Sequence, residues 1–175
     1  DISIFGVTRG QFSMIDIMVY LLDQIGPAQI SLWTWTVADY EVEAVTALMN
    51  NGGVTGARLT VDYSASQRNR VLLKGWQDRF GPDSVRVCKT HAKIGRVWNA
   101  SYRLLVRGSM NLNMNPRLEQ FDLTGGGPDF DLVEQLEDEM PVISLNPSHL
   151  EAAAASKLGD AFDLETLDMF KGLNP

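Results

Sequence analysis

His91 and Lys93 stand two residues apart at the start of an apolar, β-prone run, and Gly108-Ser109-Met110-Asn111 closes the run that follows. Alternate residues of a strand point to one side, so a strand over 91–98 presents the imidazole and the ammonium together. Gly95 continues that side and leaves room. A second strand over 102–108 returns antiparallel through a turn at 99–101 and delivers Ser109 and Asn111 to the same end of the sheet. An imidazole, an ammonium, a hydroxyl and a carboxamide gathered there suit a phosphate diester. The imidazole can attack phosphorus or protonate a departing oxygen. Lys93 and Asn111 can hold the non-bridging oxygens as charge develops on them. Neither role calls for a metal ion, and no cofactor is expected. Taken singly, His91 reads as a strand histidine and Lys93 as a charge guarding a sheet edge; the joint pattern points to chemistry.

The rest of the chain must position that end of the sheet. Residues 2–7 read as a buried strand. Residues 11–25 carry Phe12, Ile15, Met18, Val19 and Leu22 at helical spacing, and Gly26-Pro27 stops them. A strand over 28–37 follows, with Trp33 and Trp35 on one face and both expected to be mostly buried. Asp39 caps a helix over 40–51. A strand over 57–62, one helix from Ser64 or Ser66 to Phe80, and a strand over 84–88 complete an alternating series. Such alternation predicts an α/β fold, a mixed and mostly parallel sheet with helices on both faces. Beyond the 91–108 hairpin come a strand over 119–124, an acidic helix over 129–140, irregular chain over 141–147, and helices over 148–162 and 164–170. Residues 1–140 are expected to form the domain, and 141–175 a helical tail.

The chain has 175 residues and a net charge of −7. Its length suits one domain with a real core. No run reaches the ~18 apolar residues of a membrane helix, and no membrane partner is expected. A single cysteine, Cys88, rules out an internal disulfide and fits a reducing, cytoplasmic compartment. One cysteine and two histidines also argue against a Cys/His zinc site. The acidic total argues against nucleic acid as a partner, yet the charge is unevenly spread. Residues 58–107 hold 11 Lys/Arg against 3 Asp/Glu, and residues 119–175 hold 2 against 13. The basic block contains the His-Lys motif. Arg68, Arg70 and Lys74 fall on one expected helix, and Arg96, Arg103 and Arg107 on the hairpin, where they can line a track for phosphates. The acidic helix is expected to be solvated, docking on the basic block being the alternative.

His91-Ala92-Lys93 with Gly108-Ser109-Met110-Asn111 resembles the HKD motif of the phospholipase D superfamily: His-x-Lys, four residues, Asp, then Gly-Ser and Asn. A downstream acid followed by an amide also belongs to that pattern, and Glu119-Gln120 stands where it falls. The resemblance covers roughly residues 1–140 and implies the family's mixed α/β fold. It departs at position 98, where Trp98 replaces an Asp that supports the family's site rather than reacting.

The family mechanism uses two such motifs, one histidine as nucleophile and the other as general acid. This chain has one, and His149, followed by Leu150-Glu151, does not begin a second; it is expected to open the C-terminal helix with no chemical role. The resemblance therefore implies a homodimer, and single-motif members are largely nucleases of phage or bacterial origin. On that reading His91 reacts, Lys93 and Asn111 bind phosphate, Ser109 orients the site and Glu119 fixes the imidazole through its other nitrogen. Arg68, Arg70, Lys74, Arg96 and Arg107 bind a nucleic-acid substrate, DNA or RNA. The competing reading, favoured by Trp98 and the acidic total charge, is a non-catalytic nucleic-acid-binding or regulatory module. A lipid-cleaving enzyme fits less well, since those relatives carry two motifs on longer chains.

Overall fold

The computed structural model describes residues 2–112 and 116–142. Strand β1 (Ser3–Thr8) leads to helix α1 (Met14–Ile25). The Asp16 carboxylate accepts the Ser13 backbone N–H at 2.7 Å, which fixes the helix start. Met14, Ile15, Met18, Leu21 and Leu22 turn inward, and Gly26, at φ +77°, ends the helix in a conformation that favours glycine. After β2 (Ala28–Thr34) comes α2 (Asp39–Asn50). Here the capping carboxylate is Glu41, which takes the Ala38 N–H at 2.7 Å, so the helix begins with Asp39 already inside it.

The expected helix over 64–80 is broken. Strand β3 (Val54–Asp62) runs into a short α3 (Tyr63–Arg68), and α4 (Arg70–Phe80) starts afresh beyond Asn69. Asn69 sits at φ −114°, ψ 33°, outside the helical region. Its carboxamide reaches the Val37 carbonyl at 3.4 Å. Strands β4 (Val85–Cys88), β5 (Lys93–Trp98), β6 (Arg103–Gly108) and β7 (Glu119–Gly125) follow, then α5 (Pro128–Glu139). Asn99 makes the β5–β6 turn: its Oδ1 accepts the Ser101 and Tyr102 N–H groups at 2.9 and 3.0 Å, and its Nδ2 donates to Ile25 O at 3.1 Å.

The seven strands order as β1-β7-β6-β5-β2-β3-β4. Strands β2, β3 and β4 pair in parallel, and the remaining pairs are antiparallel. Only β5 and β7 run against the common direction. Helices α1, α2 and α4 contact one another in turn and cover one face. Helix α1 lies directly over Gly95, where a Cβ would have to displace the tip of the Met18 side chain. The room expected beside Lys93 is thus filled by α1.

Helix α5 covers the other face with a core of Trp33, Leu105, Phe130, Val133 and Met140. Rather than standing in solvent, it docks on the basic strands. Asp129 meets Arg107 at 2.5 Å, Asp131 meets Arg103, and Asp138 meets Arg58 at 2.9 Å. Glu137, with no exposed surface, meets an equally buried Arg96 at 2.5 Å. Beyond α5, Val142 bridges to Arg86 on the outer strand β4. The helices expected over 148–162 and 164–170, with His149, lie outside the described residues. Among the described residues no helix is long and apolar enough to cross a membrane.

Candidate active site

The strand directions decide where the chemistry gathers. The C-terminal ends of β1, β2, β3, β4 and β6 and the starts of β5 and β7 share one edge of the sheet. Lys93 opens β5 opposite Gly108, the last residue of β6, and Glu119 opens β7 opposite Thr8. His91 precedes the strand rather than belonging to it, so its side chain is set by a loop. That loop is pinned. Asp62, at the end of β3, accepts the Thr90 N–H at 3.1 Å and the Ser64 N–H at 2.8 Å. The Thr90 hydroxyl accepts the Ala92 N–H at 3.0 Å.

Lys93 is only 5% exposed. Its Nζ lies 2.9 Å from His91 Nδ1 and donates to the His91 carbonyl at 2.6 Å. Burial pushes the ammonium below its ordinary pKa, and the nearby Glu119 charge only partly opposes this. With Lys93 charged, Nδ1 accepts and the ring proton sits on Nε2. Glu119 does not touch the imidazole. It accepts the Ser109 hydroxyl instead. Ser109 also takes the Gln120 N–H on its Oγ at 3.1 Å and gives its own N–H to the Gln120 carbonyl at 3.0 Å. Gly108 permits this close approach, since a Cβ there would run into the Gln120 carbonyl. The Asn111 carboxamide oxygen is buried and meets no donor among the described residues; turning the amide puts its NH₂ end there, the end that can hold a phosphate oxygen.

His91, Lys93, Ser109, Asn111 and Glu119 therefore share one sheet edge. The expected phosphate-binding cations do not all join them. Arg96 is fully buried, ion-paired to Glu137 and stacked 4.7 Å from the Trp98 ring and 4.8 Å from that of Phe130. It points to the α5 face because position 96 is out of phase with Lys93, and it has no route to a ligand. Arg107 lines an open cleft with Ala92, Lys93, Gly108, Gln120 and Asp122, but Asp129 holds its guanidinium. The break at Asn69 separates Arg68 from Arg70 and Lys74, which are engaged by Gln67 at 2.7 Å and by Asp78. Arg68 instead lies over the Trp35 ring at 5.5 Å.

Trp35 is the residue that sequence reasoning misplaced. The strand ends at Thr34, one residue short of the indole, and Trp35 is 39% exposed, 6.0 Å from the His91 ring. The signal was the Val37-Ala38-Asp39 helix entry, which forces the strand to stop early. Trp98, beside the turn, is half-buried against Arg96 and Phe130. It closes β5 at the far end, five residues and about 16 Å from Lys93, so the departure from the HKD pattern lies away from His91. Burial and the Asp62 charge push the Cys88 thiol up to about 11, which disfavours its thiolate.

Asp62 offers a first test. Burial raises its pKa, but the Ser64 hydroxyl and N–H, the Thr90 N–H and the Arg68 charge together outweigh burial and hold it below 3.8. The stability it contributes is present above that value and is lost as pH falls through the lowered folded pKa. Asp62→Ala is expected to cost about 1 kcal/mol at neutral pH, as for a lost helix cap. In urea unfolding, its difference from the parent should shrink as pH falls below 3.8.

No protein-family model matches the sequence, and no curated protein matches it. Solved structures match in fold. NucT from Helicobacter pylori superposes with a TM-score of 0.54 at 13% identity, over 79% of this chain and 96% of NucT. A polyphosphate kinase from Porphyromonas gingivalis gives 0.54 at 17% identity, over 77% of this chain and 25% of the kinase. A phosphatidylserine synthase from Haemophilus influenzae gives 0.50 at 14% identity, over 87% of this chain and 44% of the synthase. The chain thus spans a quarter of the kinase and under half of the synthase. The shared architecture is the phospholipase D-like α/β fold, which this chain builds as a mixed seven-stranded sheet flanked by helices.

Proposed function

We propose that the chain is a phosphodiesterase of the phospholipase D superfamily that cleaves nucleic acid through a phosphohistidine, with two copies supplying the two imidazoles. The observation that carries this reading is the buried Lys93 ammonium held against His91 where the sheet ends, with the Ser109–Glu119 pair on the neighbouring strands. The fold shared with NucT, over 96% of that chain, supports a unit of this size.

In the proposed reaction a phosphodiester draws Lys93 from Nδ1 onto a non-bridging oxygen. Nδ1 then takes the ring proton and frees the Nε2 lone pair. Nε2 attacks phosphorus, a P–N bond forms, and the P–O bond to the departing strand breaks. The second copy's histidine, its own Lys93 likewise drawn onto the phosphate and its ring protonated on both nitrogens, gives the Nε2 proton to the leaving oxygen and is left a neutral imidazole. It then takes a proton from water, whose oxygen attacks phosphorus and breaks the P–N bond. Asn111 and Lys93 stabilise the charge on the equatorial oxygens, and Ser109 and Glu119 keep the β6–β7 end in register around them.

Sharing of His91 between copies has a quantitative signature. Parent and His91→Ala chains, co-refolded in varying ratio at constant total concentration, should lose activity as the square of the parent fraction. A linear loss would remove the shared site. A second reading, a non-catalytic nucleic-acid-binding or regulatory module, draws on Trp98 standing where the HKD pattern has an Asp. It predicts binding of an oligonucleotide without turnover.

A further inference from the structure

Trp35, Arg68 and His91 form a cluster that the cleavage chemistry does not use in full. The indole is 39% exposed at the site edge, an unusual place for a side chain of that area to stay uncovered. Its ring lies 6.0 Å from the imidazole that meets the phosphorus. Arg68 stands over one face of it at 5.5 Å; its charge acts on Asp62, but no carboxylate among the described residues pairs with it directly. Its one hydrogen bond is a long 3.4 Å contact to the Ser64 hydroxyl. Arg58, Lys74, Arg96, Arg103 and Arg107 all spend their charge on carboxylates. An aromatic plane with a guanidinium that no carboxylate clamps is the combination that takes a flat, electron-rich ring attached to an anion.

We propose that Trp35 and Arg68 form a stacking shelf for one unpaired nucleobase next to the phosphate at His91, which makes the chain selective for single-stranded nucleic acid. A base in a duplex is already stacked on both faces and cannot lie on Trp35 without leaving the helix. A quaternary ammonium headgroup, which also favours an indole, is repelled by Arg68 above the ring and by the Lys93 ammonium bonded to the neighbouring His91. The shelf rests on the proposed phosphodiester chemistry at His91 but is separable from it, because Trp35 makes no bond to the reacting groups.

The test measures binding of three fluorescein-labelled probes by anisotropy: an eight-nucleotide oligothymidylate, the same length of abasic deoxyribose-phosphate chain, and a blunt duplex. His91→Gln protein keeps the substrate whole, with and without Trp35→Ala or Trp35→Phe. Trp35→Ala should weaken the oligothymidylate about tenfold or more, Trp35→Phe should restore most of that, and neither should change binding of the abasic chain. Equal weakening of the abasic chain would make Trp35 a merely structural residue and overturn the shelf. So would unchanged oligothymidylate binding in Trp35→Ala, or a parent that prefers the duplex, while the phosphate chemistry at His91 stands. Failure to bind any probe would overturn the underlying reading and the shelf with it.

Discussion

His91→Ala is expected to lower cleavage of an oligonucleotide by about 10⁴-fold while leaving the protein folded. The size follows from what is lost. In the proposed dimer both imidazoles vanish, so the nucleophile and the proton donor of the proposed reaction go together. General acid–base assistance alone is worth roughly 10²–10⁴-fold, and groups acting as a unit do not add. The fold should hardly notice. His91 is exposed, and the Lys93 ammonium keeps its bond to the carbonyl of residue 91 at 2.6 Å. Initial rates with excess EDTA, beside a circular dichroism melt, make the comparison. A variant that cuts as fast as the parent would end the assignment.

Glu137→Ala should give the largest loss of stability of any single change considered. Its carboxylate is fully buried and receives the Ser31 hydroxyl, the Trp33 indole N–H at 2.5 Å and the Arg96 guanidinium at 2.5 Å. Removing it strands an arginine with no exposed surface, whose other carboxylate, Glu134 at 3.1 Å, is 43% exposed. Breaking one half of a buried pair costs about 3–5 kcal/mol, a large share of the ~5–15 kcal/mol that holds a domain together. Replacing both partners with apolar residues, Glu137→Leu with Arg96→Met, should recover much of that, because no charge is left unpaired. Urea unfolding of the single and double variants measures the difference. A double variant less stable than Glu137→Ala would mean that the Ser31 and Trp33 donors, not Arg96, set the cost.

The same pair marks the limit of what the sequence discloses. Strand–helix alternation, the hairpin at Asn99 and the placing of His91, Lys93, Ser109 and Asn111 at one edge follow from periodicity and turn chemistry and are legible, whereas Glu119 is named only through the resemblance to the HKD pattern. Arg96 is not. It has the phase of a strand residue facing away from Lys93, but nothing local says that an acidic helix will cover that face. The docking of α5 depends on contacts across 41 residues between Arg96 and Glu137. The break at Asn69 depends in the same way on the Val37 carbonyl, 32 residues away. That break carries Arg68 to Trp35 and leaves Arg70 and Lys74 elsewhere. Trp35 escaped because β-propensity continues through Thr36 while hydrogen-bonded pairing ends at Thr34. The weight of Trp98 was also hidden: the sequence shows a missing Asp, and only the strand shows how far from His91 it is missing.

Covalent capture tests the central claim most directly. Oligonucleotide labelled at the 5′ end in one reaction and the 3′ end in another is mixed with the parent protein. Each is stopped in alkaline detergent from milliseconds onward, where a P–N bond to histidine survives, and the adduct is mapped by mass spectrometry. One of the two labels should stay on the protein, bonded to the His91 imidazole, and should be absent from His91→Ala. Cleavage by the parent with no adduct on His91 at any time point would contradict the account.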